Sequence, residues 1–217
     1  SYASTTYQDK FGTQVAISGK RAIVGAPLED SASGERTGVA YIYDVVTGNL
    51  LHTLTNPSTT TPAGDYFGRS ADIDGNFAII GAYKSDVGGT SSGRAYIYNV
   101  TTGALVHTLT NPNAYSTTAN DEFGWQVRIK GNYACVSGYR EDSASGLDTG
   151  VVYVFSVASG ALLRTIFNPS PSVQDRFGKQ LDMDGEFLIV GAPGNGTSGK
   201  EIHVFNVTTG TLVRSWS

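Results

Sequence analysis

The 217-residue chain carries 15 Lys and Arg against 19 Asp and Glu, a net charge of −4 without a basic stripe, which argues against a nucleic-acid binder. Its one cysteine, Cys135, rules out an intrachain disulfide and a cysteine-based metal site. No apolar run is long enough for a membrane span and nothing at the N-terminus reads as a signal peptide, so a mature form or an excised piece without membrane insertion is expected.

The first unit opens with Asp9-Lys10-Phe11-Gly12. Apolar residues two apart over 14–17 predict a strand, and Ser18-Gly19 predicts a tight hairpin turn, which needs positive φ. The run 22–26 is continuously apolar and predicts a strand buried on both faces. A polar loop, 27–37, leads to a third strand at 39–43, a second tight turn ending at Gly48, and a fourth strand at 50–54. The order then repeats. After Phe67-Gly68 come strands at 70–73, 78–82, 95–98 and 105–109. After Phe123-Gly124 they fall at 126–129, 134–138, 151–155 and 162–166. After Phe177-Gly178 they fall at 180–183, 188–192, 202–205 and 212–216.

The four phenylalanines are spaced 56, 56 and 54 residues apart. A long period of this kind means one supersecondary unit that needs its neighbours to bury its faces. Sixteen strands in groups of four, with no helical period, predict an all-β, four-bladed β-propeller in which each blade is a four-stranded antiparallel sheet. One domain over 1–217 is expected, with blades at about 9–56, 65–111, 121–168 and 175–217. A finer pattern lies inside the period. Copies one and three share Glu-Asp-Ser-Ala-Ser-Gly, at 29–34 and 141–146, whereas copies two and four share Asp-x-Asp-Gly, at 72–75 and 182–185. The units therefore alternate as A, B, A, B, as after two successive duplications.

Phe11-Gly12 followed by Gly25-Ala26-Pro27, and Phe177-Gly178 followed by Gly191-Ala192-Pro193, resemble FG-GAP repeats, the blade units of the integrin α-subunit head. Gly81-Ala82-Tyr83 is similar to a shorter version found in secreted bacterial and marine phage proteins. Copy three departs with Ser137-Gly138-Tyr139. The resemblance implies an adhesive or ligand-binding propeller on a cell or virion surface rather than an enzyme.

Strand direction puts both tight turns of each unit on one face of the disc and the long loops on the other, where binding residues are expected. Exposed Tyr83, Tyr115 and Tyr139 are expected there, beside Glu29, Asp30, Asp86, Glu141 and Asp142. Aromatic faces next to carboxylates suit sugars, so a cell-surface glycan or protein is the expected partner. The alternative is a glycan-active enzyme. It requires acids such as Glu29 and Glu141 to converge to about 5–10 Å. A purely structural or oligomerisation role is the third reading. Asp72, Arg128 and Asp182 fall on first strands, which line the axis, and predict an axial charge cluster that fixes register. Asp9, Asp65, Asp121 and Asp175 precede Phe-Gly in every copy and are expected to accept backbone N–H bonds in the turn.

Several short motifs carry no chemistry. Gly194 to Lys200 matches a nucleotide-binding glycine pattern, but a strand follows where phosphate binding needs a helix N-terminus. The Asp-x-Asp-Gly turns resemble integrin-type calcium loops but offer too few oxygens for Ca²⁺, so no metal and no cofactor are expected. His52, His107 and His203 form no triad with Ser and Asp, and no Gly-x-Ser-x-Gly elbow occurs. Three Asn-x-Thr sequons, at Asn99, Asn195 and Asn206, would stay bare in a prokaryotic or phage protein. Copy four ends in its own fourth strand, so no strand remains to complete another blade. The four units close as a monomeric ring, which is the expectation, form an arc of a larger propeller, or pair with a second chain to make eight blades.

Overall fold

A computed structural model describes residues 9–32, 34–58, 63–112, 119–195 and 200–217. The sixteen strands form four separate four-stranded antiparallel sheets, each built from four consecutive strands. Blade 1 contains β1 (Gln14–Ser18), β2 (Arg21–Ala26), β3 (Val39–Asp44) and β4 (Leu50–Thr55). Blade 2 contains β5 (Ser70–Asp74), β6 (Phe77–Ala82), β7 (Arg94–Asn99) and β8 (Leu105–Thr110). Blade 3 contains β9 (Val127–Lys130), β10 (Tyr133–Gly138), β11 (Val151–Ser156) and β12 (Leu162–Phe167). Blade 4 contains β13 (Gln180–Asp184), β14 (Phe187–Ala192), β15 (Glu201–Asn206) and β16 (Leu212–Trp216). This is the expected all-β, four-bladed propeller architecture. The strand 1–2 turns place Gly19, Gly75, Gly131 and Gly185 at φ between 54° and 57°, as a two-residue hairpin demands.

The core lies between blades. One cluster joins Ile23, Ala40, Ile42 and Leu54 of blade 1 to Phe67, Ala71, Ile73 and Tyr96 of blade 2. The next two repeat it with Phe123 and Phe177 as the incoming aromatics. Phe67, Phe123 and Phe177 are fully buried, each tilted against the third-strand aromatic of its own blade at 5.8 to 5.9 Å. Cys135 closes the third junction with its Sγ 3.6 Å from Met183 Sδ, and burial pushes its thiol up to about 12.

Backbone clamps align these junctions. The Phe67 amide donates to Thr37 O at 3.0 Å, Phe123 to Ser92 O at 3.1 Å and Phe177 to Thr149 O at 3.0 Å, each crossing to the previous blade. The preceding residues, Tyr66, Glu122 and Arg176, add amide bonds to Arg36, Ser91 and Asp148. To turn the chain there they take left-handed φ of 56°, 55° and 57°, at a cost of about 1 kcal/mol or more each. The clamp is tight enough that a Cβ on Gly38, Gly93 or Gly150 would overlap the carbonyl of the incoming phenylalanine.

The aspartates of Asp-x-Phe-Gly make a bond beyond the one expected in the turn. Asp65, Asp121 and Asp175 are buried and accept side-chain amide bonds from Asn56, Asn111 and Asn168, at 2.8, 2.8 and 3.0 Å, where the previous blade's outer strand ends. Asp175 also accepts a local backbone N–H, from Ser172 at 2.6 Å. A carboxylate this deep is matched by an amide on the neighbouring blade, so the motif ties two units together as well as shaping its own turn.

The inner strands pack in chain order, β1 on β5, β5 on β9 and β9 on β13. Among the described residues β13 makes no comparable packing against β1. Phe11 is accordingly 53% exposed, although it meets Tyr41 at 5.7 Å just as Phe67 meets Tyr96. The contrast predicts that Phe67→Ala lowers unfolding free energy by about 3–5 kcal/mol. Phe11→Ala in the dilute chain is expected to cost less than about 1.5 kcal/mol. Urea denaturation of the two variants measures the difference.

Candidate functional site

The long-loop face is assembled from residues flanking Phe-Gly and from the loops that leave each second strand. Trp125, directly after Phe123-Gly124, is the centre of an aromatic cluster. Tyr83 meets it edge-on at 4.9 Å, Tyr139 at 4.7 Å with a tilt of 41°, and Tyr66 stacks on Tyr83 at 5.6 Å. The Arg69 guanidinium lies over the Trp125 ring at 4.7 Å, and Lys84 Nζ lies 5.6 Å from the Tyr83 ring. Trp125 Nε1 donates to Lys179 O at 3.2 Å, which links the cluster to blade 4.

Glu122 is buried beneath this cluster. Its Oε1 accepts Lys84 Nζ at 2.7 Å and lies 3.6 Å from Arg140 Nη1. Arg140 also donates through Nε to Asp148 at 3.4 Å. Burial, followed by the Glu122 carboxylate, raises the ionisation of the Tyr139 hydroxyl above its ordinary range. The side chains thus form aromatic faces fringed by cations, with the anionic charge held underneath.

The expected site residues divide into three groups. Tyr83 and Tyr139 come together around Trp125, but Tyr139 is buried rather than exposed. Glu29 and Glu141 are also not on the surface. They are 5% and 1% exposed and accept hydroxyl bonds from Tyr41 (2.6 and 2.8 Å) and Tyr153 (2.6 and 2.7 Å). Burial raises the Glu29 pKa, and the Tyr41 hydroxyl opposes that shift. Asp30, Asp86 and Asp142 brace their own loops. Each accepts the amide of a left-handed residue, Arg36 at 2.8 Å, Ser91 at 2.7 Å and Asp148 at 2.9 Å. Tyr115 lies outside the described residues, as do 196–199 of the glycine-rich stretch.

Near the axis, Arg128 Nε donates to Asp182 at 2.9 Å. Asp72 accepts the Ile129 amide at 2.9 Å and feels the positive charge of Arg128, though burial still raises its pKa. Asp74, in the turn that resembles a calcium loop, accepts Gly131 N at 2.9 Å and Lys130 Nζ at 3.2 Å. Asp72 and Asp74 act across the junction of blades 2 and 3, and Asp182 across that of blades 3 and 4. Among the described residues no group of three or more His, Cys, Asp or Glu converges to hold a metal.

Trp125, Tyr66, Arg69 and Glu122 are absent from the sequence-based set. The signal for them lies in the repeat itself. The positions on either side of Phe-Gly hold Lys10, Tyr66, Glu122 and Arg176 before it, and Thr13, Arg69, Trp125 and Lys179 after it. Chemistry that varies inside a constant motif marks side chains released from the structural task.

Asp121 carries a pH signature. Burial, then the nearby Glu141 carboxylate, push its pKa up to about 7. Between the unfolded value near 4 and about 7, the folded state holds a proton that the unfolded chain has released, so stability falls as pH rises through that window. Unfolding free energy measured in urea is expected to decline from pH 4 to pH 7, with this group contributing up to about 1.4 kcal/mol per unit. Asp121→Asn should flatten the decline. The flattening is partial, because Glu29, Asp65 and Asp72 are shifted in the same sense.

The repeat geometry matches what comparison with known families finds. The FG-GAP repeat matches residues 5–43, 61–98 and 113–155, more than half of the chain. No curated protein matches it. Repeats of this family typically occur in extracellular proteins and build propeller modules that often bind. The chain, with its four Phe-Gly motifs and four-stranded blades, belongs to the FG-GAP repeat family.

Proposed function

We propose that this chain is a non-catalytic binding module that takes a glycan on its long-loop face, at a cell or virion surface. The observation that carries the reading is the cluster of Tyr66, Tyr83 and Trp125, backed by the buried Tyr139 and edged by Arg69, Lys84 and Arg140. Aromatic rings offer C–H contacts to a sugar face, and guanidinium groups pair with carboxylate or sulfate in two-pronged geometry. A glycan with acidic substituents suits this chemistry better than the neutral sugar that an acidic site would favour. The cluster draws on blades 2, 3 and 4, so the scaffold holds it without ordering a loop at binding, which lowers the entropic cost.

Burial of Glu29 and Glu141 under Tyr41 and Tyr153 supports binding over hydrolysis, because a glycosidase needs its carboxyl pair in contact with the sugar. No step of the proposed recognition uses a metal. A glycan array probed with the purified chain, with and without calcium, tests the reading. Binding to uronate- or sulfate-bearing glycans is expected, at equal strength in EDTA. Trp125→Ala and Arg69→Ala are each expected to weaken binding at least tenfold, about 1.4 kcal/mol. Turnover of chromogenic glycosides, or binding that survives both substitutions, would contradict the proposal.

A further inference from the structure

We propose that the open faces of blades 1 and 4 bind a second copy of this chain head to tail, so that two chains complete one ring of eight blades. Each face is half of a junction the chain already makes three times. On blade 1, Phe11, Val15 and Ile17 are 53%, 62% and 67% exposed, whereas their counterparts Phe67, Ala71 and Ile73 are buried. On blade 4, Ile189 and Ile202 are 42% and 44% exposed, whereas Ile79 and Ala95 at the same places are buried. A groove of about 480 Å³ on blade 1 is lined by Val39, Tyr41 and Tyr43, and one of about 330 Å³ on blade 4 by Asp182, Ile189, Gly191 and Ile202.

The polar groups identify the occupant. Blade 4 is a B unit and blade 1 an A unit, so their meeting repeats the junction of blades 2 and 3. There Asp72 accepts the Ile129 amide and Asp74 the Gly131 amide, both at 2.9 Å. Blade 4 offers the same pair, Asp182 and Asp184, and blade 1 the same amides, on Ile17 and Gly19. A second seam runs along the outer strands. His52 reaches Thr101 O at 3.2 Å, His107 reaches Ala158 O at 3.3 Å, and Arg164 donates to Thr208 O at 2.7 Å. Arg214 is the next in this series, and its carbonyl would be that of Val46, on an exposed turn. Gly191 completes the fit. At Gly81 of the internal B-to-A junction a Cβ would overlap the Gly124 carbonyl, while at Gly191 a Cβ meets nothing closer than Gln180 O at 3.7 Å. That place is open, and Gly12, equivalent to Gly124, has nothing within 4 Å of its own Cβ position.

A second copy brings an A-type face to a B-type face twice, and a head-to-tail contact closes into a ring when its rotation allows. Among the described residues β1 and β13 lack the packing that joins each other pair of successive inner strands, so the ring is not closed within one chain. One part of the surface differs. Lys200 stands where Gly38, Gly93 and Gly150 receive the phenylalanine carbonyl. The copy is therefore held by the apolar face, the two aspartates and the outer seam more than by this clamp.

Light scattering of the purified chain is expected to give twice the 22.9 kDa chain mass. Phe11→Ser and Gly191→Leu should each give a monomer whose circular dichroism matches the parent. An equimolar mixture of the two should associate again, at least tenfold more weakly than the parent, because one of its two junctions is intact. Lys200→Gly should tighten the parent dimer at least threefold. A parent that stays monomeric at every concentration, an assembly of more than two copies, or a mixture that does not associate would overturn the proposal. So would a Lys200→Gly dimer no tighter than the parent.

Discussion

The structure depends on one contact made three times: the amide of a Phe-Gly phenylalanine donates to a carbonyl of the previous blade while its ring enters that blade's apolar face. Backbone and core are fixed in the same step. The carbonyl comes from the loop before the third strand, so that loop must present a glycine at positive φ. The residue before the phenylalanine must accept a left-handed conformation, and the aspartate before that reaches an asparagine at the end of the outer strand. Three of the four apolar clusters join neighbouring blades, and the fourth, around Ala26, Val39 and Tyr41, is a small one on the open side of blade 1. The chain behaves as a repeat array in which stability resides in junctions rather than in units.

That arrangement divides the residues by task. Strand faces and the Asp, Phe and Gly of the motif are bound by the junction. The positions between and after them are free to differ, and they carry Tyr66, Arg69, Glu122 and Trp125 to the long-loop face. The binding chemistry is therefore concentrated where structural demand is lowest, on a frame held by buried aromatics beneath it.

Much of this was legible in the residues. Alternating apolar positions placed β1 and β5, continuous apolar runs placed β2 and β6, and Xaa-Gly pairs placed the turns between them. The alternation of A and B units appears in the structure as matching hydrogen bonds, Glu29 to Tyr41 and Glu141 to Tyr153, in the two A blades. The burial of those glutamates was not legible. A loop acid three residues beyond a strand reads as solvated, and only three-dimensional folding shows that the loop turns back over a third-strand tyrosine. Trp125 has no aromatic counterpart in the other copies, where Thr13, Arg69 and Lys179 stand, so the recurring pattern does not point to it. The open ring was not readable either, because the angle between blades is set by side-chain packing across each junction rather than by strand count.

Amide hydrogen exchange at the three junction phenylalanines tests the central claim most directly. If the Phe-Gly clamp holds the blades together, the amides of Phe67, Phe123 and Phe177 will exchange as slowly as those of the second strands, and in the same cooperative opening. Exchange at the rate of the exposed turns, with the strands still protected, would show that the blades are held by something else.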